Sequence, residues 1–331
     1  MAKETFQVSR RLAHILLALG ITLLTFPPEL MSVMAQSPTP GAPLQVVASF
    51  SILGDLVKNV GGEAVEVTTL IGPGIDAHTY DPAPADLVDL GEAEVIFENG
   101  LGFEPWLDQF FASTQPPGAR VVVTEGITPR AAGEDHAVDA GQEANASEPG
   151  QFDPHVWHDV ANVIVMAGNI RDALARADPD RAELYEANAA AYVAELEALD
   201  TSIRQQVGTL PEERRKLITS HDTFGYFAAA YGFEVLGTAL GSLSTEAGDP
   251  SAQDIVLLIT EIEDAGVPAI FAENVANPDL MESIAAEAGV ELAPPLYTDA
   301  LGPLGSPGET YIGMMKSNVI TIVDALSGGQ G

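Results

Sequence analysis

From Leu44 onward the chain alternates short β-branched runs with longer stretches of helical period, and this alternation limits its fold more than any other feature. The runs read LQVVASF, VEVTTL, AEVIFENG, VVVTEGI, KLITS, PAIFAENV and VELAPPLY. Strands separated by helices build parallel sheets, because each parallel connection has to cross back over the sheet. Nearly continuous apolar runs also suit strands covered on both faces. The predicted fold class is therefore α/β, with mainly parallel sheets flanked by helices. Helix starts carry marks of their own. Asp178-Pro179, Asp249-Pro250-Ser251 and Asn277-Pro278 each set a capping side chain beside a proline suited to a first turn.

Two segments interrupt the alternation. Arg130 to Phe152 (RAAGEDHAVDAGQEANASEPGQF) is rich in Gly, Ala and acid with no apolar period, and reads as a surface loop. Between Asp178 and Val207 the residues Tyr185, Ala189, Tyr192, Leu196, Leu199 and Ile203 recur at spacings of four and three, which draws one stripe along a long helix. About 30 helical residues extend roughly 45 Å, long enough to cross between two lobes. The expected organisation is a signal peptide at 1–35, an N-terminal α/β lobe at 36–177 holding the acidic loop 130–152, a linking helix at 178–207, and a C-terminal α/β lobe at 208–331. No sequence repeat relates the lobes, although each has a similar alternation.

The leader reads as an export signal. Arg10 and Arg11 precede an apolar run from Leu12 to Phe26, and Val33-Met34-Ala35 places small residues where a signal peptidase cuts, before Gln36. The run is shorter than the about 20 residues a spanning helix needs, and Pro27-Pro28 end it. Ser9-Arg10-Arg11 leaves twin-arginine export open beside the general route. Cysteine is absent, so the chain has no disulfide framework, no thiolate metal site and no lipobox cysteine. The expected location is the periplasm. A net charge of −34 with only 14 Lys plus Arg excludes polyanions such as nucleic acid as partners and favours cations, although solubility alone accounts for acidity equally well.

Of six histidines, His14 lies in the leader. His78 (GIDAHTYDP), His155 (DPHVWHD) and His221 (ITSHDTF) each follow a strand or loop and precede a helical pattern. Ligands of open α/β sheets bind at the carboxyl ends of strands, where such residues converge. A single histidine there is usually structural, whereas three in a chain this poor in histidine point to a common site. Asp299, in PPLYTDALGP, is the best carboxylate to join them, with a turn or helix cap as its other use. Three imidazoles and one carboxylate make a tetrahedral site suited to Zn(II). Such a set fills the coordination sphere, which favours binding over hydrolysis.

The chain resembles the zinc- and manganese-binding solute-binding proteins of ABC importers from about Leu44 to the C-terminus. The resemblance rests on VVASFSILGDLVKNVGG, GIDAHTYDPAPADL, FENGLGFEPWL, DPHVWHD, SHDTFGYFAAAYG, DPSAQDI, IFAENVANP and YTDALGP followed by TYIGMMKSN, in that order. It implies two α/β lobes joined by a long rigid helix, a metal between them, and His78, His155, His221 and Asp299 as ligands. It also implies a permease in the inner membrane as partner, with the binding protein a monomer. Manganese-type members typically carry Glu at the position of His221 and zinc-type members His, which agrees with the match of imidazole to zinc and of carboxylate to harder ions. The sequence therefore leans to zinc, with Mn(II) the other cargo.

Departures from the family pattern matter as well. A His-rich loop often precedes the second ligand in zinc-type members, but the loop here has one histidine, His136, among acids such as Glu134, Asp135 and Asp139. His158 stands where an apolar residue is usual and reads as a surface or packing residue, although its spacing from His155 would let it share a helical face. Asp222 reads as a helix cap or a carboxylate behind an imidazole, Glu273 and Asn274 take no assigned role, and Asp249 replaces a usual Glu. His221 is expected at the mouth of a crevice rather than in a core. Two other functions compete. A secreted zinc hydrolase needs an open coordination position and a general base, and neither HExxH nor Gly-x-Ser-x-Gly is present. An adhesin or metal buffer is disfavoured by the missing lipidation and wall anchor.

Overall fold

The computed structural model describes residues 41–132, 152–245 and 250–328. The leader at 1–35, residues 133–151 of the acidic loop with His136, and Asp249 lie outside the described residues.

The first half builds a four-stranded sheet from β1 (Leu44–Phe50), β2 (Val65–Ile71), β3 (Val95–Glu98) and β4 (Ala119–Val122), in the order β2-β1-β3-β4. All its pairings are parallel. The central strands β1 and β3 are buried almost throughout, whereas the edge strands β2 and β4 carry exposed Glu66 and Arg120. Helices α1 (Ser51–Gly61), α2 (Pro84–Glu92) and α3 (Pro105–Thr114) supply the crossovers.

The second half has β5 (Lys216–Thr219) paired with β6 (Glu234–Thr238), and β7 (Ala269–Glu273) paired with β8 (Glu291–Leu296), again in parallel. β5 lies beside β7, so the strands follow one another in space as β6-β5-β7-β8. This repeats the order of the first half: second, first, third, fourth. β6 is absent from the strands expected from sequence. Its segment EVLGT contains a glycine and buries none of its five residues, so it lacks the apolar run that marks the others. Helices α6 (Gly225–Tyr231), α7 (Ala252–Ala265) and α8 (Asp279–Ala288) complete this half.

Between the halves stand α4 (Val160–Ala177) and α5 (Ala182–Val207), and the chain closes with α9 (Tyr311–Leu326). The expected long helix is α5, 26 residues entered through a 3-10 turn at Pro179–Arg181. Tyr185, Ala189, Tyr192, Leu196, Leu199 and Ile203 are all buried along it, with Val207 continuing the stripe. α5 packs on α1 and α4 from the first half and on α9 from the second, and the largest apolar core runs through both halves.

The expected caps are met unevenly. Ser251 accepts the N–H of Asp254 while Asp254 accepts the N–H of Ser251, a reciprocal cap on α7. Asn277 accepts the N–H of Asp279 at the start of α8. Asp178 makes no cap bond; its carboxylate instead pairs with Arg181 and accepts the Tyr185 hydroxyl at 2.9 Å.

Leu196 is fully buried on the stripe of α5, while its neighbour Glu195 faces solvent. Leu196→Ala is expected to lower unfolding stability by about 2–5 kcal/mol. Glu195→Ala should stay within about 0.5 kcal/mol of the parent, with both read by urea denaturation.

Candidate metal centre

The four residues singled out in the sequence come together. His78 lies in the loop 72–83 after β2, His221 directly follows the β5 segment, and Asp299 follows β8. His155 follows an isolated antiparallel bridge between Ala131 and Phe152 and opens a 3-10 turn at Val156–His158. Parallel strands thus deliver three of the four from their carboxyl ends. One donor atom from each residue can be chosen so that all lie within 4.8 Å of one another.

The spacing inside the cluster is regular. His155 Nε2 lies 3.2 Å from His78 Nε2 and 3.4 Å from His221 Nε2. Asp299 Oδ2 lies 3.3 Å from His78 Nε2 and 3.1 Å from His221 Nε2, and its Oδ1 lies 3.6 Å from His155 Nε2. A tetrahedral ion with bonds of about 2.0–2.1 Å holds its donors about 3.3–3.4 Å apart. Asp299 Oδ2 is buried, and the nearest polar atoms to it are the His221 and His78 nitrogens. The donors converge on a point rather than on one another.

Two further carboxylates orient the imidazoles. Asp153 Oδ1 lies 2.8 Å from His155 Nδ1 and also accepts the His155 backbone N–H at 2.9 Å. Glu273 Oε2 lies 2.5 Å from His221 Nδ1, its Oε1 accepts the His221 backbone N–H at 2.9 Å, and Thr298 donates its hydroxyl to Oε2 at 3.2 Å. A carboxylate on Nδ1 keeps a proton there and leaves the Nε2 lone pair for the centre. Sequence reasoning singled out neither carboxylate, leaving Glu273 without a role and passing over Asp153. The one signal for Glu273 was its place at the end of β7, the same strand-end position that marked the others. Asn274 next to it brackets Asp299, accepting the Thr298 N–H and donating to the Ala300 carbonyl, both at 3.0 Å.

Behind the cluster lies an aromatic floor. Phe103 meets His78 edge-on at 5.0 Å and Trp157 meets His155 at 5.4 Å, with Phe50 packed against both Phe103 and Trp157. Trp157 donates its indole N–H to the Thr298 carbonyl at 3.0 Å, and Tyr311 donates to the Trp157 carbonyl at 2.8 Å, tying the halves beneath the site. Asn99 donates to the carbonyl of Pro154 at 2.9 Å. Its own N–H is held by the carboxylate of Glu104, which burial first and Glu98 second push up to about 8.

Three expectations need correction or refinement. His221 is fully buried in the interior, not at a crevice mouth, because residues from both halves close over it. Asp222 caps no helix: α6 begins after Phe224 without a side-chain cap, and the carboxylates behind the imidazoles are Asp153 and Glu273. His158 is a packing residue, stacked on Phe224 at 4.6 Å, and burial lowers its pKa to about 3. It does not belong to the donor cluster found among the described residues.

Electrostatics fix the charge of the site. Burial opposes charge on His221, but Glu273 and then Asp299 outweigh it and hold the imidazolium well above its ordinary pKa. Burial likewise works against the Asp299 carboxylate, but His221 and His155 drive it well below the usual range. Both shifts favour a charged His221 beside a charged Asp299.

A family model described as zinc-uptake complex component A, periplasmic, matches residues 46–325. The chain belongs to this ZnuA family. Its members include the zinc- and manganese-type solute-binding proteins that the motifs resemble. The manganese-binding lipoprotein MntA of Halalkalibacterium halodurans is 39% identical, over 87% of this chain and 90% of that protein. The zinc-binding protein TroA of Treponema pallidum is 35% identical, over 87% of this chain and 90% of that protein. The solved structure of periplasmic TroA superposes with a TM-score of 0.76 at 33% identity, covering 86% of this chain and 99% of that one.

Two outcomes are expected. Glu273→Gln keeps the shape but loses the charge behind His221, and should weaken metal affinity about 10- to 100-fold in competition titrations while circular dichroism stays unchanged. Metal binding near neutral pH should release about one proton, since the ion replaces the proton on His221, and affinity should rise as pH rises towards the raised pKa of that residue. Calorimetry in buffers of differing ionisation enthalpy measures that release.

Proposed function

We propose that the chain captures a divalent transition metal outside the cytoplasm and delivers it to an ABC permease of the inner membrane, with zinc as cargo and His78, His155, His221 and Asp299 as its ligands. The observation that carries this reading is the gathering of three histidine nitrogens and one buried carboxylate within 4.8 Å of one another, with five of their separations at 3.1–3.6 Å, near the edge lengths of a small tetrahedral ion. Residues 36–177 and 208–331 act as the two lobes, held by the linking helix 178–207, and the protein works as a monomer. All four ligand positions come from side chains, so no site is left for an activated water. That supports a carrier rather than a hydrolase.

Manganese is the second reading. Both oxygens of Asp299 face the cluster, which offers a fifth donor and an oxygen-richer set, and MntA at 39% identity is named for manganese. The relatives named lipoproteins differ in one respect. MntA is named a lipoprotein, whereas the 331 residues contain no cysteine, and the reading proposed here includes cleavage near residue 35 and a periplasmic location.

Elemental analysis of protein purified without added metal tests the cargo. About one zinc per chain supports the reading, manganese in its place moves the cargo, and no binding of either ion by calorimetry overturns the site. His221→Glu should abolish most of the preference for zinc over manganese in competition titrations. Because the new carboxylate faces Glu273 and Asp299 in the interior, the metal-free variant should also melt lower than the parent, and added metal should restore it.

A further inference from the structure

The loop that carries His78 is tied to the other half of the molecule by a backbone bond, Gly74 N–H to the Leu301 carbonyl at 2.9 Å, and nearer the histidine by one carboxylate. Asp76 Oδ1 accepts the backbone N–H of His78 at 2.9 Å, and Asp76 Oδ2 accepts the hydroxyl of Thr245, 169 residues away, at 2.5 Å. A hydroxyl held by a carboxylate makes a strong, directional bond. Thr245 ends a segment that is itself fastened around His221. Leu240 donates its N–H to the Ser220 carbonyl at 2.9 Å, and the Asp222 N–H donates to the Ser242 carbonyl at 2.8 Å. The bonds form a circuit from His78 through Asp76 and Thr245 to the residues on either side of His221.

Exposure gives this circuit its meaning. The side chains of His155, His221 and Asp299 are 0% exposed, whereas that of His78 is 8% exposed. Among the four, His78 alone borders solvent, and its loop is neither helix nor strand. A cavity of about 420 Å³ bounded by Asp76, Ser220 and Thr245 lies beside the bond, leaving space next to the loop once the bond opens. Elsewhere the halves meet through buried contacts, such as Trp157 to Thr298 and Tyr311 to Trp157, that must stay made if the fold is to persist. The Asp76–Thr245 bond is part-buried, and of the bonds that hold this loop to the second half it is the one made by side chains next to His78.

We infer that Asp76 and Thr245 form a latch across the mouth of the site, and that this latch sets the rate at which the metal passes His78. Both are positioning residues, which act on the ion through the His78 loop. The inference rests on the reading of His78 and His221 as ligands.

Zinc-loaded protein mixed with excess chelator in a stopped-flow instrument reads the release rate directly. Thr245→Val, which keeps shape and loses the hydroxyl, should release zinc about tenfold faster, the effect of losing one charge-assisted hydrogen bond. Thr245→Ser restores the hydroxyl and should release at the parent rate, a rescue that a merely space-filling role would not give. Asp76→Ala should also speed release, and adding Thr245→Val to it should change the rate by less than about twofold, because the bond is already gone. A Thr245→Val rate equal to the parent's overturns the latch, as does an equal acceleration on the Asp76→Ala background. Parallel calorimetry of the parent separates the two levels. Tight zinc binding with an unaffected Thr245→Val rate sinks the latch alone, while a parent that binds no metal sinks the site and the latch with it.

Discussion

Everything in this molecule is arranged around a contact that is costly to assemble: three imidazoles and a carboxylate gathered in the interior with their donor atoms within 4.8 Å of one another. Polar groups crowded together and taken out of water lose hydration that they must recover from their neighbours. Such a cluster persists only if each member is pinned from behind. Asp153 and Glu273 pin two rings through both side chain and backbone, and Asn274 pins the peptides flanking Asp299. Phe103, Trp157 and Phe50 prevent the rings from swinging away.

The scaffold supplies the stiffness that this pinning requires. The four-stranded sheet of the first half and the strand pairs β5-β6 and β7-β8 of the second follow a like order, and α5 binds α1, α4 and α9 along one buried stripe. The largest core runs through both halves, so they share buried contacts. The loop 72–83, which carries His78, lies outside the helices and strands.

What the sequence disclosed follows from the range of each interaction. The α/β class, the parallel strands and the stripe of α5 depend on period and apolar runs within a window of residues, and these were legible. The four clustered residues were legible because each stands at a strand end or before a helix, a local signature, and because histidine is scarce. β6 was not legible, since an edge strand with no buried residue has no apolar pattern to read. Glu273 was passed over and Asp222 given the wrong part for a different reason. Both are acids next to strand ends, and only the tertiary approach of β5 to β7 decides which one meets His221. The burial of His221 was likewise a property of two halves meeting, which no local window contains.

The carboxylates on either side of His221 favour its charged form, which offsets part of the cost of burying Asp299 and Glu273 close together. On the reading of His221 as a ligand, the ion takes the place of that positive charge. Exchange of proton for metal then leaves the carboxylates where they are and changes the occupant of one lone pair. Because little has to reorganise, most of the coordination energy is available for affinity rather than being absorbed by ordering the site. The same economy makes release the harder step. A carrier must surrender its cargo, and a site that binds without rearrangement gives no release by itself. Some bond outside the cluster has to yield first, and the ligand loop nearest to solvent is where such a bond acts on the ion with the fewest buried contacts disturbed.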